Sequence, residues 1–319
     1  MNKNNFFQVL RPGINTTYQD EGRFGLQHLG VPPSGCMDFK SFKIANSLVE
    51  NSIKEGVIEF AYQGPLLKLI KGNAKIAITG NVYFQIIKSQ NIKINGECYR
   101  SYDLSEGDQI DILATKDSAY GYLSIRGGFD LQPFYQSVST LVKAGIGPNK
   151  GNKIKISDKI YFNKFNQNKN KGLKISQKAN NNIIRVLKSS QYNFFSKESQ
   201  NKFFSTQYKI TNLTDRMGMR LEGESLKNIV SANIRSEGIT KGAIQVPADG
   251  QPIILLTDHP TIGGYPKIAN VISADYDSLV QKKIGTMLSF KCIELGEAEI
   301  AFKLYNEKLE KLIKSIQDI

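Results

Sequence analysis

Between Gly56 and Ile125 the chain is a succession of short apolar or alternating runs, at residues 57–62, 66–70, 74–79, 82–87, 109–113 and 121–125. Gly, Asn and Asp interrupt them, and Asn95-Gly96 and Glu106-Gly107-Asp108 carry hairpin signals. No helical pattern alternates with these runs, as a parallel sheet would require, so the segment is expected to form an antiparallel barrel or sandwich. The fold class that follows is mainly β, in two β-rich lobes with a few short helices.

The rest of the chain extends this pattern. Residues 6–10 read as a first strand, closed by Pro12-Gly13. Asp38 is a helix N-cap, because Phe42, Ala45, Leu48 and Val49 recur after it at helical spacing. Residues 150–178 hold nine lysines and a single acid, Asp158; strands are expected at 154–156 and 160–162 before the segment loosens. A second β-rich block opens at Ile183, with a short helix near 277–283 and a last strand over 287–292. After Glu297 the positions Phe302, Tyr305, Leu309, Leu312, Ile313 and Ile316 share one helical face. The expected organisation is a lobe over 1–165, a Lys/Asn-rich linker over 166–182, a lobe over 183–296 and an amphipathic helix over 297–319.

Charge and cysteine content exclude several classes. The net charge is +13, yet only eight of the 42 basic residues are arginines, and the lysines are dispersed among asparagines. Nucleic-acid readers favour clustered Arg with stacking aromatics, so a solvated basic surface is expected and no nucleic-acid partner. Cys36, Cys98 and Cys292 lie far apart without a C-x-x-C pair, which fits reduced thiols in the cytoplasm rather than a disulfide framework. No run approaches the length of a membrane span. Two histidines, His28 and His259, without metal-ligand spacing, argue against a metal site. A phosphate loop of the G-x-x-x-x-G-K-[ST] type is missing.

The stretch richest in chemical groups is Asp258-His259-Pro260-Thr261-Ile262-Gly263-Gly264-Tyr265-Pro266-Lys267, set between two apolar runs. Polar groups on a loop between buried strands are more often functional than scattered ones. In extended chain, neighbours point to opposite faces, so Asp258 and His259 are not expected to form a dyad with each other. His259 could act as a base or donor, or cap a turn. Arg126, Asp215, Arg216, Glu237 and Lys267 stand beside glycines; forked arginine donors there suit carboxylate or phosphate, while structural ion pairs would use the same residues.

With these residues in view, the chain resembles the KipA family, which includes the C-type subunit of bacterial 5-oxoprolinase and is also labelled allophanate hydrolase subunit 2 or biotin-dependent carboxyltransferase-like. The blocks that carry the resemblance are GVPPSGCMD (30–38), YLSIRGGFD (122–130), TDRMGMRLEG (214–223), SEGITKGAIQVPADGQPIILLTDHPTIGGYPKIA (236–269) and VISADYD (271–277). The resemblance implies a cyclophilin-like β-barrel architecture. It implies a complex with a KipI-like, B-type partner and a LamB/YcsF-like, A-type partner that opens 5-oxo-L-proline to L-glutamate with ATP. The candidate catalytic residues are then His259, Lys267 and Asp258. The candidate substrate-binding residues are Arg126, Asp215, Arg216, Glu237, Gln245, Thr261, Gly263, Gly264 and Tyr265. ATP would be used by the complex, and biotin would not be carried here, since no methionine has the adjacent lysine of carrier hairpins. Two other roles fit the resemblance: a KipA-like regulator of a KipI-like inhibitor, or the carboxyltransferase component of a urea or amide carboxylase. The chain departs from the family pattern at Pro260-Thr261-Ile262, where Gln-Thr-Thr is usual, and at Val138, where an arginine is usual. The family's G-G-x-G-R is replaced by Gly147-Pro148-Asn149-Lys150-Gly151-Asn152.

Overall fold

The computed structural model describes residues 5–166, 168–175, 181–231 and 233–319. The chain divides into two compact units. Unit 1 takes Met1–Arg23, Ser34–Ser176 and Leu309–Ile319; unit 2 takes Phe24–Pro33 and Gln177–Lys308.

Unit 1 contains two antiparallel sheets. The first has six strands in the order Lys159–Phe162, Asn5–Arg11, Leu66–Lys71, Gln109–Thr115, Val82–Ile87 and Lys93–Asn95. The second has five, in the order Thr17–Gln19, Val57–Ala61, Tyr120–Ile125, Ala74–Thr79 and Ser101–Leu104. One core draws on both, with Phe7, Val9, Leu67 and Ile112 from the first and Ile58, Phe60, Ile76 and Leu123 from the second. Helix α1, Phe39–Leu48, packs on Ala74–Thr79 and Tyr120–Ile125. That covers their second face and explains why both strands are buried at every position instead of alternating. Asp38 caps α1 as expected, accepting from the Ser41 N–H at 2.9 Å.

Three local expectations are corrected. Residues 154–156 are loop, with the Ile154 side chain buried and its N–H donated to the Thr16 carbonyl. Asn95-Gly96 is not a hairpin turn: the strand Lys93–Asn95 ends there, and the turn that precedes it runs through Asn91 at φ +63°. Gly107, at φ +92°, does turn the chain, but between strands of different sheets.

Unit 2 is built on a closed seven-stranded barrel: Ile183–Lys188, Lys267–Val271, Ala243–Gln245, Ile253–Leu255, Gly218–Glu222, Tyr208–Thr214 and Met287–Cys292. The first and last strands close it as a parallel pair, and the remaining pairs are antiparallel. Closure leaves no barrel edge unpaired. Inward residues alternate as the period of two requires; Ile184 and Val186 of the first strand and Leu288 and Phe290 of the last are buried. Helix α2, Lys197–Ser205, rests on the last strand, with the Phe203 ring stacked on Phe290 at 4.6 Å. Helix α3 is Ser273–Val280, earlier in the chain than the pattern suggested. Thus the mainly β, barrel-based architecture expected from the sequence is the one the chain adopts.

Helix α4 spans Leu295–Lys314, and Gln317–Asp318 then pairs with Lys171–Gly172. On its expected apolar face Leu309 is buried, whereas Phe302 is exposed. Within the expected linker, residues 167 and 176–180 lie outside the described residues. Among the described residues, no helix is long and apolar enough to cross a membrane.

Candidate functional site

Residues 258–267 run from the end of strand Ile253–Leu255 to the start of strand Lys267–Val271, two elements of the unit 2 barrel. Each end of the loop is fixed by a charged pair. At the first end, Arg216 comes from the turn between Tyr208–Thr214 and Gly218–Glu222. Its Nε donates to Asp258 Oδ2 at 2.8 Å and its Nη2 to Oδ1 at 3.0 Å, and both side chains are buried. The Asp258 N–H also donates to the Arg216 carbonyl at 2.9 Å. A forked, buried pair of this kind anchors chain segments; removing one partner typically costs about 3–5 kcal/mol. Asp215 shapes the same turn by accepting from the N–H groups of Met217 at 2.7 Å and Gly218 at 3.2 Å.

His259 is buried, and its Nδ1 lies 2.6 Å from the Pro260 carbonyl. A carbonyl only accepts, so Nδ1 carries the proton and Nε2 is left as the ring's acceptor. Burial pushes the imidazole pKa below its ordinary value, with Lys241 adding to the shift, so the ring is neutral at neutral pH. Asp258 turns both oxygens to Arg216 while His259 turns Nδ1 to Pro260, and the two neighbours form no dyad; the chain there is a turn, closed by the His259 N–H donated to the Leu256 carbonyl at 3.2 Å, and not the extended stretch expected.

At the second end, Lys267 is buried and its Nζ donates to Glu237 Oε1. Gln191 Nε2 donates to that same oxygen at 2.7 Å, while Gln191 Oε1 accepts the Lys267 N–H at 2.9 Å. Ser189 Oγ donates to the Lys267 carbonyl at 2.5 Å and accepts from the Gln191 N–H at 3.1 Å. The Lys267 ammonium holds the Glu237 carboxyl below the usual glutamate range, with Gln191 contributing less. Gln245 is the cross-strand partner of Lys267, so the two side chains leave the same face of the barrel wall. Gln245 is 5% exposed, and its Nε2 has no hydrogen-bond partner. A buried donor left in this condition costs about 1–3 kcal/mol and calls for an explanation.

The Gly-Gly pair serves close approach. Neither glycine has a positive φ; a Cβ on Gly263 would lie 2.6 Å from Gln245 Nε2, and one on Gly264 would lie 3.1 Å from the Ile234 carbonyl oxygen. Gly263 pairs with Glu237 in a two-residue sheet, Glu237–Gly238 with Ile262–Gly263. The Thr261 carbonyl accepts the Ile239 N–H at 3.2 Å, and the Ile262 and Tyr265 side chains are exposed. Arg126 belongs to unit 1, where it donates to the Glu50 carboxylate and, at 3.3 Å, to the Val49 carbonyl. Its guanidinium holds Glu50 below the ordinary carboxylate range.

The structure therefore brings Glu237, Gln245, Gly263 and Lys267 together, and commits Asp258, Arg216 and Asp215 to holding the loop. Gln191 and Ser189 are central to the first group but carry no mark of it in the sequence. The only signal for them is a polar Ser-Ser-Gln directly after a barrel strand. Among the described residues, no three His, Cys, Asp or Glu side chains are grouped to hold a metal.

The fold and this site can be set beside known proteins. The carboxyltransferase domain family, subdomains A and B, matches residues 29–292. The chain is 30% identical to the C-type subunit of 5-oxoprolinase from Escherichia coli over 312 residues, covering 94% of this chain and 99% of that protein. It is 33% identical to the same 5-oxoprolinase component from Haemophilus influenzae, covering 91% and 92%. The crystal structure of Kluyveromyces lactis urea amidolyase superposes with a TM-score of 0.87 at 26% identity, over 98% of this chain. The chain spans 20% of the length of that enzyme. The chain belongs to the carboxyltransferase-domain family that includes the C-type 5-oxoprolinase component, in agreement with the five sequence blocks.

Proposed function

We propose that the chain is the C-type component of an ATP-dependent 5-oxoprolinase, acting in the cytoplasm with a KipI-like, B-type chain and a LamB/YcsF-like, A-type chain to hydrolyse 5-oxo-L-proline to L-glutamate. The observation that carries this reading is the similarity to the Escherichia coli 5-oxoprolinase component, 30% identical over 312 residues and over 99% of that protein.

The site chemistry supports it. A lactam is neutral and a poor electrophile, so its opening needs oriented donors, a proton acceptor and external activation. His259 supplies a neutral ring with Nε2 as acceptor. Lys267 and Arg216, buried cations beside the loop, are each matched by a carboxylate, so neither offers an unbalanced charge for a polyphosphate. ATP is therefore left to the complex, and no residue of this chain is assigned to it. Pro260 and Ile262 stand where the family loop is usually polar, and we assign the polar work to Glu237, Gln245, His259 and Lys267.

A second reading, the carboxyltransferase component of a urea or amide carboxylase with carboxybiotin supplied by another chain, is favoured by the family match and the urea amidolyase superposition. Co-expression with A- and B-type partners separates the readings. Glutamate formed from 5-oxoproline and ATP only when all three chains are present supports the first. Dependence on carboxybiotin supports the second, and tight binding to the B-type chain without turnover points to a KipA-like regulator. In the active complex, His259→Ala and Lys267→Ala are expected to abolish turnover while association with the B-type chain persists. Wild-type rates in both variants would remove this site assignment.

A further inference from the structure

Gln245 and Glu237 flank the same glycine. Glu237 is the sheet partner of Gly263, and Gln245 Nε2 lies 2.6 Å from the point a Cβ on Gly263 would occupy. One of the two is a buried donor without an acceptor. The other receives Lys267 and Gln191 on Oε1 alone, and its side chain is 45% exposed, so Oε2 is available to accept. A cis amide presents the complementary pair on a single edge, a carbonyl oxygen beside an N–H.

We propose that this corner recognises the cis-amide edge of the substrate: Gln245 Nε2 donates to the carbonyl oxygen, Glu237 Oε2 accepts the N–H, and the strand Ile262–Gly263 lifts to admit the ligand. The inference rests on the reading of the chain as a component acting on an amide, and it says how that amide is held.

Three observations support it. The unpartnered donor is explained, because the ligand carbonyl supplies the acceptor the fold withholds. The covering sheet is minimal, two residues on each side, with Glu237, Gly238 and Ile262 all exposed, so lifting it disturbs few buried contacts. The Glu237 carboxylate, held by Lys267 and Gln191 on Oε1, turns an acceptor to this edge, which calls for an N–H on the ligand. Lactams and urea share the edge, so the same corner serves the substrate of either reading.

The test is titration of the full chain with 2-pyrrolidinone, urea and N-methyl-2-pyrrolidinone, followed by NMR shift perturbation. The first two probes present the N–H/C=O edge, and the third lacks the N–H. The first two are expected to bind, with the N-methyl compound weaker by roughly tenfold or more. Gln245→Leu, and Gly263→Ala, whose methyl takes the space of Nε2, should each weaken 2-pyrrolidinone by a similar factor while the chain still unfolds in one cooperative transition. Equal affinity for the N-methyl compound, undiminished binding in both variants, or no lactam binding by the wild-type chain would overturn the proposal. Neither ATP nor partner chains are needed. Lactam binding in this pattern alongside a complex that leaves 5-oxoproline intact would keep this inference and reject only the assigned reaction.

Discussion

Asp20 in unit 1 accepts from four donors of its own fold: the Gly22 and Val138 N–H groups and the Ser137 and Ser139 hydroxyls. Glu237 in unit 2 accepts from two, both on one oxygen, and its side chain is half-exposed beside an unpartnered amide. Asp20 is buried and spends its bonds on joining the 20–23 and 137–139 segments, with donors of the fold on both oxygens. Asp258 is committed in the same way, to Arg216. A buried carboxylate is thus a weak sign of function by itself, and remaining hydrogen-bond capacity is the better sign.

This contrast can be broken by substitution. Asp20→Ala leaves several buried donors without an acceptor and is expected to destabilise the chain most, by about 3–5 kcal/mol in urea unfolding. A loss under ~1 kcal/mol would show that Asp20 is not the structural acid described. Arg216→Ala strands the Asp258 carboxylate and should cost about 3 kcal/mol by the same measurement. Glu237→Gln lies at the other end of the scale: the side chain is half-exposed and the amide oxygen still accepts from Lys267, so the loss should stay at about 1 kcal/mol.

Acidification sharpens the contrast further. The folded-state pKa of His259 is depressed, so its contribution is fully present above the unfolded value of about 6.5 and is lost as pH falls through the folded value. The unfolding midpoint should decline below that pH, and His259→Asn should flatten this part of the profile. Glu237 follows the same sign lower down, losing its contribution below the ordinary glutamate range. A midpoint unchanged between pH 7 and 5 would contradict the buried, neutral imidazole.

Much of unit 1 was legible because its strands are long enough to show a pattern; Ala74–Thr79 and Val82–Ile87 have the bounds read from the sequence. The barrel of unit 2 is harder to read, with Ala243–Gln245 and Ile253–Leu255 only three residues each. Helix α2 escaped notice because its sequence, KESQNKFFS, has just two apolar side chains, with Phe203 and Phe204 together at its end. Asn95-Gly96 looked like a turn for a reason local sequence cannot separate from packing. A Cβ on Gly96 would lie 2.0 Å from the Phe84 ring, so the glycine makes room for that ring. Gly96→Ala is expected to cost about 1–3 kcal/mol.

The candidate loop was visible as a cluster of polar residues between apolar runs, but its internal division of labour was not. Asp258 meets Arg216 from 42 positions away, and Gln191 meets Lys267 from 76. Such pairings are set by barrel closure, which no spacing rule reveals. Glycine was likewise legible as a residue type but not as a cause: Gly263 is needed for the approach of Gln245, with an ordinary backbone angle.

The central claim is that the open cluster around Glu237 is the working site while the committed carboxylates hold the fold. The most direct measurement is the rate of glutamate formation from 5-oxoproline and ATP by the three-chain complex carrying Glu237→Gln, beside its unfolding midpoint. The expected result is a loss of roughly a hundredfold or more in rate with the midpoint nearly unchanged. Wild-type turnover in that variant would contradict the account.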